Sequence, residues 1–290
     1  MYLQALFKAA VASVLILAAT VATVAEADSP NAGAPFLDDR YSFWLGGFFP
    51  KVDSYIRLDS SSGLPGNEID FEDTLGLEDG KNVGFGGIRW RMAPRHLIEF
   101  ELIQLKRSGL VGGVTKPLKI GDYKVRIGAQ IESELDVSIG RLTYGYTIIN
   151  TDRSEVALKA GLHLTELKAL LRLSGAVEID GVLVGTPSTV VEEGEDVAAP
   201  LPHLGLSYGY AFKPNLGFRA QGLAFAIKIN DYEGTLLDLG LDFQYRPWRR
   251  LGVGAGMRYF NITIDDNRGS RLARFQYEYY GPVIYAVYSF

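Results

Sequence analysis

The sequence predicts an all-β fold, a closed antiparallel up-and-down barrel of about ten strands that crosses a membrane. Three observations predict it. Beyond residue 28, apolar and polar side chains alternate with period two, and helical spacing is scarce. Four short turns recur beside aromatic clusters, and the opposite connections are longer and polar. No run of 18 apolar residues follows residue 27, so a membrane crossing by the mature chain must use strands.

The first segment is set apart from this pattern. Lys8 is the only charge in the first 25 residues, an apolar run follows from Ala9 to about Val24, and Ala25-Glu26-Ala27 is a small-x-small triplet before Asp28. This is the plan of a secretory signal peptide with cleavage after Ala27. The chain divides into residues 1–27 (signal), 28–40 (a short N-terminal segment) and 41–290 (the barrel).

Composition agrees. The 290 residues are 47% hydrophobic, with 16 Tyr, 15 Phe and 33 Gly, which suits strands with interfacial anchors and tight curvature. A net charge of −5 argues against a nucleic-acid partner. The absence of Cys excludes thiolate metal sites, disulfides and thiol nucleophiles, and suits passage through an oxidising compartment.

Alternation is clearest over Leu236–Arg246. There Leu237, Leu239, Leu241, Phe243 and Tyr245 share one face, opposite Asp238, Gly240, Asp242 and Gln244. Glu155–Thr165 and His203–Phe212 repeat it. The short turns lie at Ala93-Pro94-Arg95, Asn150–Arg153, Lys213-Pro214-Asn215 and Pro247–Arg250, each after an aromatic strand end, with Tyr-Gly-Tyr at two of them. The longer connections are Asp59–Lys81, Ser108–Gln130, Gly175–Val197 and Asp265–Ala273, and one opposite connection, near Asn230–Gly234, is short. Ten strands follow, near 41–58, 82–92, 96–106, 131–148, 155–172, 199–212, 216–229, 234–246, 251–264 and 275–290; weak alternation in the first strand and near 218–227 leaves eight or twelve open. A soluble sandwich or barrel would also alternate.

The last strand is the most specific element. Ile284, Ala286, Tyr288 and Phe290 alternate up to the terminal aromatic residue. Here the chain resembles the bacterial outer-membrane β-barrel superfamily. The resemblance implies that Tyr288 and Phe290 form a signal read by the barrel-assembly machinery. It also implies that short turns and both termini face the periplasm while long loops face outside. The expected partners are outer-membrane lipid and lipopolysaccharide.

Lipid contact assigns the faces, because a Lys or Arg on the lipid side costs about 2–4 kcal/mol at the midplane. Ile88, Trp90, Ile98, Phe100 and Leu102 should point out. An aromatic girdle of Trp90, Tyr144, Tyr146, Tyr208, Tyr210, Phe243, Tyr245 and Tyr288 should mark the short-turn end. Arg89, Arg91, Glu99 and Glu101 should point in, joined by Arg141, Lys159, His163, His203, Arg219, Asp238, Asp242 and Arg258. A turn pairing Met92 with His96 sets Arg89 opposite Glu99, an expected lumen ion pair. Such a lumen reads first as a packed polar plug, because a ten-stranded barrel has little spare width, and second as a narrow pore or ligand site.

Catalysis finds little support. His96 sits at a short turn. His163 and His203, with Asp238 or Asp242, fit no metal spacing, and no metal or cofactor is expected. Within the resembled superfamily, omptin proteases use acidic residues and a His at the outer rim, whereas this chain has no His in its outer loops and no Asp-x-His. Lipid A deacylases and phospholipases use Ser with His near the lipid face, and neither His163 nor His203 lies on an apolar phase. Asp70, Glu72, Asp73, Glu78 and Asp79 crowd one outer loop, and Glu192, Glu193, Glu195 and Asp196 another; both read as solvated, with divalent-cation binding as the alternative. Asp180-Gly181 between apolar runs signals a hairpin extending the wall. The expected role is structural, surface-interacting or narrowly transporting. The alternatives are an outer-membrane enzyme acting on lipid or peptide, and a soluble periplasmic lipocalin-like barrel.

Overall fold

A computed structural model describes residues 35–58, 68–113, 118–120, 123–125, 128–174, 177–179, 182–183, 190–229, 232–266 and 273–290. One helical turn, α1 (Pro35–Asp38), precedes sixteen strands: β1 (Tyr41–Phe48), β2 (Lys51–Leu58), β3 (Glu68–Asp70), β4 (Val83–Ala93), β5 (His96–Val111), β6 (Leu118–Ile120), β7 (Tyr123–Val125), β8 (Gln130–Asn150), β9 (Ser154–Ser174), β10 (Val177–Ile179), β11 (Val182–Leu183), β12 (Val190–Lys213), β13 (Leu216–Ile229), β14 (Tyr232–Tyr245), β15 (Leu251–Asp266) and β16 (Ala273–Ser289).

Antiparallel neighbours run β1-β4-β5-β8-β9-β12-β13-β14-β15-β16, and β1 pairs back onto β16. The wall is therefore a closed barrel without a free edge, as a sheet in lipid must be. β1 and β2 are two halves of one wall strand, broken at Phe49-Pro50, and both pair with β16. Counted so, the barrel has ten strands, near the expected positions. The C-terminus locks the seam: Tyr41 and Phe290 exchange backbone hydrogen bonds of 2.9 and 3.0 Å, and their rings lie 5.2 Å apart.

Inward and outward positions alternate along the wall strands, and in β8 and β9 their chemistry inverts halfway up. At the short-turn end β8 points Leu142, Tyr144, Tyr146 and Ile148 outward and buries Arg141, Thr143 and Thr147. At the long-loop end it points Glu132, Glu134 and Asp136 outward and buries Ile131, Leu135, Val137 and Ile139. β9 does the same, with Leu158 and Leu162 outside Lys159 and His163, then Lys168 and Arg172 outside Leu173. The outward apolar stretch of β14, Leu237–Tyr245, spans nine residues. At about 3.3 Å per residue and a tilt of about 40° it stands about 23 Å tall, the height of an outer-membrane apolar band.

The structure corrects four sequence expectations. Wall strands run further toward the long loops, β5 to Val111 and β12 from Val190; in β5 this end carries Leu105 and Val111 to a second, apolar core. Arg89 does face Glu99, but Ala93 rather than Met92 pairs with His96, since the register shifts between Arg91 and Ala93. The 177–183 hairpin forms, Ile179 pairing with Val182, yet does not extend the wall; β10 joins β7 from another loop in a separate four-stranded sheet. The loop carrying Asp70–Asp79 folds inward instead of standing in solvent. Ile69, Phe71, Leu75 and Leu77 enter the apolar core, Ser133 Oγ donates to Leu75 O at 2.9 Å, and Glu72 receives Arg107 and Ser54.

Candidate functional site

The lumen at the height of the outward apolar band brings together every lumen residue expected from the sequence. Arg89 Nε donates to Glu99 Oε1 at 2.6 Å, and Glu99 also takes Lys159 Nζ. Arg141 bridges Asp238 (2.6 Å) and Glu101 (3.0 Å). Arg258 pairs with Asp242 at 3.0 Å and approaches Glu101 at 3.7 Å. His163 Nε2 lies 3.0 Å from Asp238 Oδ2, and His203 Nε2 lies 3.1 Å from Thr143 Oγ1. The two imidazoles meet edge to face at 4.6 Å, and neither Nδ1 has a protein partner. Arg91 pairs with Glu155, and Arg219 lines the central cavity.

Sequence reasoning missed several members. Trp44 Nε1 donates to Glu101 at 3.2 Å, Gln221 accepts from Lys159 at 3.2 Å, and Gln244 donates to the Tyr285 hydroxyl at 3.0 Å. Alternation carried the signal for Gln221, Gln244 and Glu155, each in phase with a recognised lumen residue. Nothing marked Trp44. Gly252, Gly254 and Gly256 give β15 a lumen face without side chains, and a Cβ on Gly254 would collide with the Tyr285 ring. The space left is a cavity of about 40 Å³, lined by Arg89, Arg141, Arg219 and Arg258 with Glu99, Glu101 and Asp242. That is room for about two or three waters.

Both ends of this layer are filled. At the short-turn end α1 enters the mouth. Leu37 is 1% exposed against Ala211 and Gly209, Arg91 donates to Leu37 O at 2.6 Å, and Asp39 pairs with Arg246. Burial lifts the Asp39 carboxyl above the usual aspartate range, against the pull of Arg246. Toward the long loops the charged layer gives way to Phe48, Phe85, Ile103, Ile139, Phe260 and Tyr279, with the Phe260 and Tyr279 rings stacked at 5.0 Å.

The residues expected in the girdle lie on the outer face near the short turns. Tyr144, Tyr146, Tyr208, Phe243, Tyr245 and Tyr288 are exposed, Trp90 and Tyr210 half-exposed, and Trp90 stacks on Tyr41 at 6.2 Å. His96 Nδ1 meets Tyr144 OH at 2.7 Å. Among the described residues one trio could ligate a cation: the carboxylates of Asp53, Asp70 and Glu72 lie within 4.8 Å of one another, with Asp53 on wall strand β2. Glu72 is already held by Arg107 and Ser54, and burial with the neighbouring Glu72 and Asp70 raises the Asp53 carboxyl above its ordinary value. The side chains of Glu192, Glu193, Glu195 and Asp196 lie outside the described residues, as do residues 1–27.

No protein-family model and no curated protein matches the chain. Solved structures do. The outer-membrane protease OmpT of Escherichia coli superposes with a TM-score of 0.52 over 91% of this chain and 99% of its own, at 12% identity. The toluene transporter TbuX of Ralstonia pickettii matches at 0.36 over 89% and 91% with 10% identity, and the attachment invasion locus protein Ail of Yersinia pestis at 0.33 over 87% and 99% with 10% identity. The fold is that of the small outer-membrane barrels.

Proposed function

We propose that this chain is an exported outer-membrane protein whose barrel is a sealed scaffold, with the long-loop end held beyond the membrane as an interaction surface. One observation carries this reading: the lumen is occupied along its height, by α1, then the ion-paired layer, then the apolar core with the inward-folded loop. The 40 Å³ cavity between them suits bound water better than a solute path. The apolar outward band supports seating in lipid over a soluble lipocalin-like barrel.

In this reading residues 1–27 direct export and are removed, residues 28–40 form a short periplasmic N-terminal segment, and Tyr288 and Phe290 present the assembly signal. Lipid and lipopolysaccharide surround the girdle, and nucleic acid is not a partner. The protease activity in OmpT's name does not transfer on fold alone. His96 lies at a short turn, and His163 and His203 are enclosed in the lumen, so no imidazole reaches the open end where a peptide would bind. A non-enzyme role fits that placement.

Single-channel recording of the purified mature chain in planar bilayers tests the sealed lumen. No stepwise conductance is expected, even after Arg89→Ala with Glu99→Ala, because the layers above and below stay in place. A stable open channel in the unmodified protein would overturn the proposal.

A further inference from the structure

Five wall strands rise from the short-turn end: β1, β5, β9, β13 and β15. In each, the residue just before the strand accepts a backbone hydrogen bond of 2.8 Å from the end of the neighbouring descending strand. The acceptors are the carbonyls of Arg40, Arg95, Arg153, Asn215 and Arg250. Four of five equivalent rim positions are thus arginine, fixed at one height by the backbone, with side chains exposed. Lys213 and Arg249 are exposed on the same turns, against Asp152 as the one exposed rim carboxylate among the described residues. This cationic ring belongs to a chain whose net charge is −5.

The ring adjoins the aromatic girdle. The Arg40 guanidinium lies 5.7 Å from the centre of the Tyr41 ring, which stacks on Trp90 and touches Phe290. Aromatic girdles sit at headgroup level. The arginines just beyond this one are therefore placed at the phosphates, and a planar guanidinium donates paired hydrogen bonds to a phosphate.

We propose that this rim binds anionic phospholipid headgroups of the periplasmic leaflet and selects them over zwitterionic ones. The inference rests on the barrel's seating in the outer membrane, and it adds a lipid-binding surface that sealing the lumen does not require. Its continuity with the apolar band favours lipid over an anionic cell-wall polymer as the partner.

The test reconstitutes the mature chain in bilayers mixing phosphatidylcholine with phosphatidylglycerol, one or the other brominated, and reads quenching of Trp90 and Trp248 at the rim. The unmodified protein should favour phosphatidylglycerol about fivefold at low salt, the enrichment expected of one surface cation. That preference should vanish at 1 M salt. Combined Arg40→Gln, Arg95→Gln, Arg153→Gln and Arg250→Gln should bring it to about one, and the matching Lys variants should keep it. Equal quenching by both lipids in the unmodified protein, or a preference that survives 1 M salt, would overturn the proposal without touching the membrane seating. No quenching by either lipid would overturn both. A Gln variant that keeps its lipid preference but no longer sediments with isolated cell wall would overturn it in favour of the polymer.

Discussion

Along β8 the outward wall changes from Glu132, Glu134 and Asp136 to Leu142, Tyr144 and Tyr146, while the lumen face changes from Ile131, Leu135 and Val137 to Arg141 and Thr143. The backbone, pairing and alternation are the same in both halves. In the proposed seating, what differs is the medium outside. Where the wall meets water it builds an ordinary apolar core, and where it meets lipid the apolar residues are needed on the outside. The polar residues then turn inward, where each buried charge must find a partner. The lower lumen is held by hydrogen-bonded ion pairs and the upper lumen by packing. The two halves should therefore fail in different ways.

The largest effect is expected from breaking the lower network. Arg141→Met leaves Glu101 and Asp238 short of their shared cation and should cost about 3–5 kcal/mol, read by urea unfolding in lipid vesicles. A loss below 1 kcal/mol would mean that the layer is hydrated rather than desolvated. Leu105→Ala in the upper core should cost about 2–5 kcal/mol by leaving a cavity. Its cost should persist at high salt.

The outer wall gives the sharpest contrast. Leu239→Arg, on the apolar band, should cost about 2–4 kcal/mol, whereas Glu134→Arg, on the same face of the wall nearer the long loops, should stay within about 0.5 kcal/mol. Equal costs would show that the upper wall is also in lipid. The smallest effect belongs to Asp53. Its carboxyl binds a proton more tightly folded than unfolded. Its stabilising contribution is thus full below the ordinary aspartate value and is lost as pH rises through the raised one. Asp53→Asn should stabilise the long-loop end at neutral pH by less than about 1 kcal/mol and flatten that pH dependence.

The half with the outward apolar band, which the proposal seats in lipid, was legible because lipid leaves a one-sided record. A charge facing lipid costs more than one facing a paired lumen, so Arg89, Glu99, Arg141 and Asp238 could be assigned by phase alone. The water-facing half was harder to read. The stretches Arg107–Val111 and 190–198 lie outside the expected strands, and the acidic run at Asp70–Asp79 looks solvated, because composition does not say that Phe71, Leu75 and Leu77 turn inward as a unit.

The linear chain determined the alternation, the turn positions, the terminal aromatic strand and thereby the closed wall, since these follow from local geometry and from which face tolerates charge. Only the tertiary structure decided which cation meets which carboxylate across the lumen, that Leu37 seals one mouth, and that four arginines share one rim. Those contacts join residues up to 207 positions apart, as Asp39 and Arg246 show. Period-two patterning places a side chain on a face, but its neighbours across the lumen are set only when the sheet closes.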